Sequence, residues 1–268
     1  MRKAVKVAAI EDATRTLERF NVLHSHNWWN HMRLSLVQYV LDQRPKTKDQ
    51  RPKTKDQRPK DSLLDFGCGK GIQLAQLKKS HPFISYAGYE PYLISKQVDS
   101  SIPLFRSLSD LAGRKFDFIT ALDVIEHIEG DLQALREMHS LLTEHGVVLI
   151  HVPAYMHLWS AMDFLGGHYR RYTKRNLMAV VKQAGFTVVE IFYITPFAYP
   201  AYLLRKYVYQ VLAFFGSNQD VNTFTDNVPI DPLKIPSMLV ALELALIKKT
   251  KLRSPFGSSL FCYATKAS

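Results

Sequence analysis

Cysteine is nearly absent. Cys68 and Cys262 are the only two in 268 residues, so neither a disulfide framework nor a zinc-type ligand spacing can organise the fold. Long apolar runs are missing as well: no uncharged stretch reaches the ~18 residues a membrane-spanning helix needs. Near the N-terminus, Lys6 and Glu11 bound too short an apolar run for a signal peptide, and the chain reads as cytoplasmic. A broad basic face is also lacking, although the net charge is +11. Residues 44–60, RPKTKDQRPKTKDQRPK, hold eight basic and two acidic residues, and KKTKLR at 248–253 holds four basic ones. These two segments carry +6 and +4 of the +11, leaving +1 for the body.

That distribution makes nucleic acid an unlikely partner. The 44–60 segment repeats RPKTKDQ, is punctuated by Pro45, Pro52 and Pro59, and is poor in apolar residues. It cannot bury a core and reads as a solvated spacer. The expected organisation is therefore a helical cap over 1–42, a basic linker over 43–60 and a main domain over 61–268. In the main domain, apolar runs near 62–66, 84–89, 103–105, 116–122 and 146–152 alternate with helical patterns near 71–80, 91–99, 129–143 and 173–184. Such alternation predicts an α/β domain with a parallel sheet. Two more strands fit 186–194 and 259–266, and Thr173 and Gly185 read as the N-cap and C′ residues of the helix between them.

Chemistry concentrates in LLDFGCGKGIQ, residues 63–73. An apolar strand runs through Asp65 and Phe66 into a loop where Gly67, Gly69 and Gly71 surround Cys68, and glycine lets the backbone approach a ligand closely. The next apolar run ends at Glu90, followed by Pro91, where a carboxylate can accept from two ribose hydroxyls. A dinucleotide fingerprint would place its third glycine at the sixth position counted from the first, but that position is Ile72. Asp65 beside the loop disfavours a pyrophosphate and suits a ligand bearing an ammonium group. S-adenosylmethionine carries an amino group and a sulfonium, and no phosphate.

The pattern Asp65-x-Gly67-x-Gly69-x-Gly71, with Glu90 as the ribose acid, resembles motif I of the class I S-adenosylmethionine-dependent methyltransferases. KFDFITALDVIEHI (115–128), EHGVVLIHVPAY (144–155) and HYRRYTKRNLMAVVKQAGF (168–186) resemble further segments of the same family, in a bacterial and archaeal branch associated with glycan and lipid pathways. The resemblance implies a Rossmann-like, doubly wound sheet of seven strands, the last antiparallel. It also implies an N-terminal helix over the cofactor and a C-terminal helical insertion at 195–257. Asp65, Phe66, Gly67, Cys68, Gly69, Gly71, Glu90, Pro91, Ser107, Leu122 and Asp123 are the expected cofactor contacts, with Leu108 beside Ser107 near the adenine.

Asp123, Glu126 and His127 are the expected catalytic group, with His127 the general-base candidate because imidazole titrates near neutrality. Asp123-x-x-Glu126-His127 also resembles the metal-binding element of ubiquinone-pathway and small-RNA methyltransferases. There a divalent metal would be an additional cofactor, with His151 or His168 as the further ligand. His168, Tyr169, Arg170, Arg171 and Tyr172 should face the acceptor, whose phosphate or carboxylate would suit the arginines.

The aromatic-rich 186–215 region is a natural wall for an apolar acceptor. With KKTKLR it makes peripheral contact with an anionic membrane face a further expectation. The expected activity is O-methylation of a small-molecule, sugar or lipid-linked acceptor. A non-catalytic S-adenosylmethionine-binding or RNA-associated module, and a nicotinamide-dependent oxidoreductase, are the alternatives.

Overall fold

The computed structural model describes residues 28–43, 61–92, 96–160, 163–164, 166–215, 237–250 and 252–266. Residues 1–27 of the expected helical cap, the repeat at 44–60 and part of the insertion lie outside the described residues. Helix α1 spans Trp28–Gln43, followed by β1 (Ser62–Phe66), α2 (Ile72–Ser80), β2 (Ser85–Tyr89), β3 (Leu104–Phe105) and β4 (Phe116–Leu122). Then come α3 (Asp131–Leu141), β5 (Leu142–Pro153), α4 (Lys174–Gln183), β6 (Phe186–Ile194), α5 (Ala198–Phe215), α6 (Ser237–Thr250) and β7 (Ser259–Lys266).

The seven strands form one sheet in the order β3-β2-β1-β4-β5-β7-β6. Strands β1 to β5 pair in parallel, while β7 runs antiparallel to both β5 and β6. The continuous apolar runs of β1, β4 and β5 follow from burial on both faces. Because side chains alternate across a sheet, Leu63, Phe118 and Leu149 pack on one side with α1, α2 and α6. Their neighbours Leu64, Ile119 and Ile150 pack on the other with α3 and α4. Helix α4 starts at a full capping box. Thr173 Oγ1 accepts from Asn176 N, and the Asn176 side chain accepts from Thr173 N. It ends before Gly185, whose φ is +100°, as its C′ position requires.

Two expectations are corrected. Residues 91, 92 and 96–99 are not helical. Asp99 accepts from Lys78 Nζ and from Ser101 N, and the Gln97 amide donates to the Asp99 and Ile102 carbonyls. Such local side-chain bonds offer the backbone an alternative to a helix. Strand β5 begins at Leu142, directly after α3, rather than at Gly146. The extra residues form an irregularity in the β4–β5 register, opposite Phe116 and Phe118. A Cβ on Gly146 would lie 2.9 Å from Leu142 Cβ, so only glycine fits that bend.

Three non-glycine residues have positive φ: Asp123 (57°), Tyr155 (59°) and Thr195 (59°). They follow the C-terminal ends of β4, β5 and β6, the edge onto which the glycine loop after β1 also opens. Strain of this kind persists where surrounding contacts over-determine the backbone. At Thr195 those contacts tie down the insertion. Its N–H donates to Glu243 Oε1 on α6 (2.8 Å) and its hydroxyl lies 2.6 Å from Ser258 Oγ.

Candidate active site

The loop after β1 is built by glycine. Gly67, Gly69 and Gly71 have φ of +78°, +54° and +78°, and a Cβ on Gly67 would sit 2.6 Å from Val124 Cγ2. The Gly67 and Cys68 amides donate to Tyr89 O at 2.8 and 3.1 Å, which ties the loop to β2. Gly69 N donates to Glu90 Oε2 at 3.0 Å and Tyr92 N to Glu90 Oε1 at 3.1 Å. Glu90 is therefore held in one orientation beside the loop, and each oxygen keeps a lone pair for a ligand hydroxyl. Phe66 packs on Tyr89 at 4.7 Å between ring centroids.

Asp65 lies beneath this loop, buried, and accepts from Thr120 Oγ1 at 2.7 Å. Burial lifts its pKa to about 7, against the opposing pull of Thr120 and Arg33. Burial also pushes the Cys68 thiol well up, which removes it as a nucleophile. Pro91 follows Glu90 in a turn, Leu122 closes β4 as a buried residue, and Leu108 opens a short 3₁₀ turn. Ser107 caps that turn, its Oγ accepting from Ser109 N at 3.2 Å.

The Asp123 carboxylate bonds to α1 and β5. It accepts from Trp29 Nε1 (3.1 Å), His151 Nδ1 (2.5 Å) and the Arg33 guanidinium. Burial alone would raise its pKa, but His151 and Arg33 beside it hold it well below the usual carboxylate range. Glu126 is fully buried and neither carboxyl oxygen has a partner. Burial, with Asp123 adding to it, pushes its pKa well up. His127 and His168 meet edge to face, with ring centroids 4.5 Å apart. Burial and the neighbouring His168 lower His127 to about 4.

One ligand-type atom each from Glu126, His127 and His168 falls within 4.8 Å of the others. Of the two further histidines considered for a metal, His168 joins that group and His151 does not. Asp123 is outside it too; its carboxylate bonds to Trp29 and Arg33 on α1 and His151 on β5.

The acceptor-side residues divide. Arg171 is buried and donates through Nε and Nη2 to the two oxygens of Asp163, at 2.6 and 3.0 Å. Asp163 also receives His168 Nδ1 at 2.9 Å and the Ser160 amide at 2.8 Å. Burial opposes its ionisation, yet His168 and Arg171 bring its pKa down to about 2. Arg170 pairs with Asp131 at 2.7 Å, with its side chain 28% exposed, and the buried Tyr172 donates to the same carboxylate at 2.8 Å. Arg171 and Tyr172 thus brace the segment, Tyr169 is exposed, and His168 and Arg170 are partly exposed although each is bonded.

Arg33 and Asp163 are buried charged residues beside the candidate site that sequence patterns did not single out. Arg33 left one signal: it stands alone as a charge within the apolar run from Met32 to Leu41. It is 5% exposed, and its Nε is buried without a partner. Gln73 Oε1, in the first turn of α2 after the glycine loop, is also buried and unpartnered. Unmet donors and acceptors of this kind suit a polar ligand at the loop.

A glycine loop after β1, an acid after β2 and an antiparallel β7 placed between β5 and β6 define the Rossmann-like methyltransferase fold. The chain is similar in fold to the plantazolicin methyltransferase BpumL, with 10% identity and a TM-score of 0.55 over 95% of this chain and 91% of that one. It is likewise similar to the 1,6-didemethyltoxoflavin-N1-methyltransferase of Burkholderia thailandensis, with 14% identity and a TM-score of 0.53 over 98% and 90%. No curated protein matches it. Residues 12–191 match the family described as "Methyltransferase domain", and the chain belongs to that family.

Proposed function

We propose that this protein transfers a methyl group from S-adenosylmethionine to an oxygen of a small-molecule, sugar or lipid-linked acceptor. The observation that carries the reading is Glu90, held by the Gly69 and Tyr92 amides beside a glycine loop with a carboxyl group, Asp65, beneath it. That arrangement fits a ribose and a cationic ligand, and repels a pyrophosphate. Structural relatives solved with S-adenosylhomocysteine support the same cofactor. Arg33 is the residue we assign to the cofactor carboxylate, since its buried Nε has a hydrogen to donate and no partner.

When bound, the cofactor supplies an electrophilic methyl on a sulfonium. The chain then has to hold the acceptor oxygen in line with that methyl and take its proton. Transfer of that methyl would form the O–C bond and leave the C–S bonding pair on sulfur. The acceptor proton goes to His127, whose ring is unprotonated at neutral pH. A weak base suits an acidic hydroxyl, an enol or phenol, better than an ordinary alcohol. Arg170, partly exposed although it pairs with Asp131 and donates to the Glu129 carbonyl, is the residue for a phosphate or carboxylate handle, because Arg171 is buried against Asp163.

A second reading places a divalent cation between Glu126, His127 and His168, favoured by their closeness and by the two unpartnered oxygens of Glu126. Such an ion would lower the acceptor hydroxyl's pKa and relieve the base of that work. Methyl transfer that survives exhaustive chelation would remove it.

Peripheral membrane contact rests on Met238, Leu242 and Leu246, exposed at four-residue spacing on α6, with Lys248 and Lys249 in its last turn. Arg253 does not contribute, since it pairs with Glu190 at 2.6 Å. No helix of the described residues is long and apolar enough to cross a membrane. Lys248→Gln with Lys249→Gln should reduce sedimentation with anionic vesicles.

Calorimetric titration with S-adenosylhomocysteine, with NAD as control, tests the core of the proposal. Binding that Glu90→Ala weakens, with no NAD signal, is the expected result. Binding of NAD alone would overturn it.

A further inference from the structure

Position 151 is out of pattern. It sits mid-sheet between Ile150 and Val152, pairs with Phe261 on β7 and Leu122 on β4, and is fully buried. An apolar residue would fit there without cost, whereas histidine leaves its Nε2 buried and unpartnered. What offsets that cost is Nδ1, which donates to Asp123 at 2.5 Å. The Asp123 backbone is pinned at the same place, its N–H donating to His151 O at 3.0 Å.

We propose that His151 is a positioning residue for cofactor binding: by fixing Asp123, it holds Trp29 and Arg33 of α1 against the glycine-loop edge. The chain of contacts is continuous. His151 orients the Asp123 carboxylate, whose other oxygen receives the Trp29 indole N–H and the Arg33 guanidinium. The Trp29 ring stands edge-on to the His151 ring at 5.1 Å, so the same histidine also packs the helix. Arg33 Nη2 then reaches Asn30 Oδ1 at 3.3 Å, leaving Nε as its unmet donor. Without the His151 N–H, one oxygen of a carboxylate at strained φ is freed to rotate, and α1 loses the orientation that aims Arg33. The inference rests on the S-adenosylmethionine reading above and extends it to a fully buried residue of β5.

The test compares side chains at 151 in the full-length protein, with S-adenosylhomocysteine as the probe. Asparagine places an N–H close to the position of Nδ1, leucine places none, and glutamine carries its N–H too far along the chain. His151→Leu should weaken binding about 10-fold or more, the effect of losing one charge-assisted hydrogen bond. His151→Gln should behave like leucine, and His151→Asn should stay within about threefold of wild type by keeping the bond. Trp29→Phe, which keeps a ring against His151 and removes only the indole N–H, should also weaken binding and provides a reading that leaves position 151 intact.

Melting temperatures measured in parallel separate positioning from stability, because a packing role predicts that leucine is as good as histidine or better. Wild-type binding with His151→Leu, His151→Gln and Trp29→Phe all equally tight would overturn the positioning role alone. A wild-type protein that binds no S-adenosylhomocysteine would overturn the cofactor reading, and this inference with it.

Discussion

Replacing Glu243 by glutamine probes the clasp that ties the C-terminal insertion to the sheet. Glu243 lies on α6, accepts from the Thr195 amide through Oε1 at 2.8 Å, and has a second oxygen buried without a partner. Burial lifts its pKa from 4.5 to about 7. Below pH 4.5 the carboxyl is protonated in both folded and unfolded chains, and it carries no charge penalty. As pH rises towards about 7 the unfolded chain releases its proton while the folded chain retains it, so stability falls. At about 1.4 kcal/mol per pH unit, the loss across that window is on the order of 3 kcal/mol.

Glutamine can still accept from Thr195 but does not titrate. Its unpaired amide hydrogens should cost about 1–3 kcal/mol at every pH. The variant should therefore be less stable than wild type near pH 4.5 and equal or more stable near pH 8. Urea unfolding of both proteins between those limits reads the difference directly, and Asp65, which shifts in the same sense, cancels in the comparison. A difference that does not change with pH would refute the argument, because it would mean that solvent reaches the Glu243 carboxylate.

Two further outcomes follow from packing and charge. Gly67→Ala should lose about 1–2 kcal/mol to its positive φ and about 1–3 more to the Val124 contact. Pairing it with Val124→Ala should recover only the second part in a thermal melt; full recovery would show that φ is not strained. Asp163→Asn should cost about 3–5 kcal/mol by stranding the buried Arg171, and should speed proteolysis in the 154–173 segment. An unchanged melting temperature would show that Arg171 finds another partner.

Much of the geometry of the glycine loop and of Glu90 beside it was legible from the chain alone, because its determinants are local. Glycines at 67, 69 and 71 reach positive φ without a Cβ clash, and an acid at the end of the next apolar run falls beside them once two parallel strands pair. The same holds for the order of strands and helices, which apolar periodicity encodes. The irregular start of β5 and the turn at 96–102 were not legible. They depend on a β4 register and on an Asp99 network with Lys78 that no window of sequence contains.

Only the tertiary structure decided how the charged residues divide their work. Asp123, Glu126 and His127 lie within five positions and read as one constellation, yet the fold splits them. Trp29, Arg33 and His151 arrive from α1 and β5 and take Asp123, while His168 arrives from beyond β5 to face Glu126 and His127. Arg170 and Arg171 read alike as neighbours, but a buried Asp163 claims Arg171, while Arg170 stays partly exposed and pairs with Asp131. Spacing along the chain determines which backbone turns can form and where a ligand's backbone-facing edge will lie. Which carboxylate is neutral, which is paired and which is free depends on what the rest of the chain brings within a few ångströms, because burial and neighbouring charge set those states.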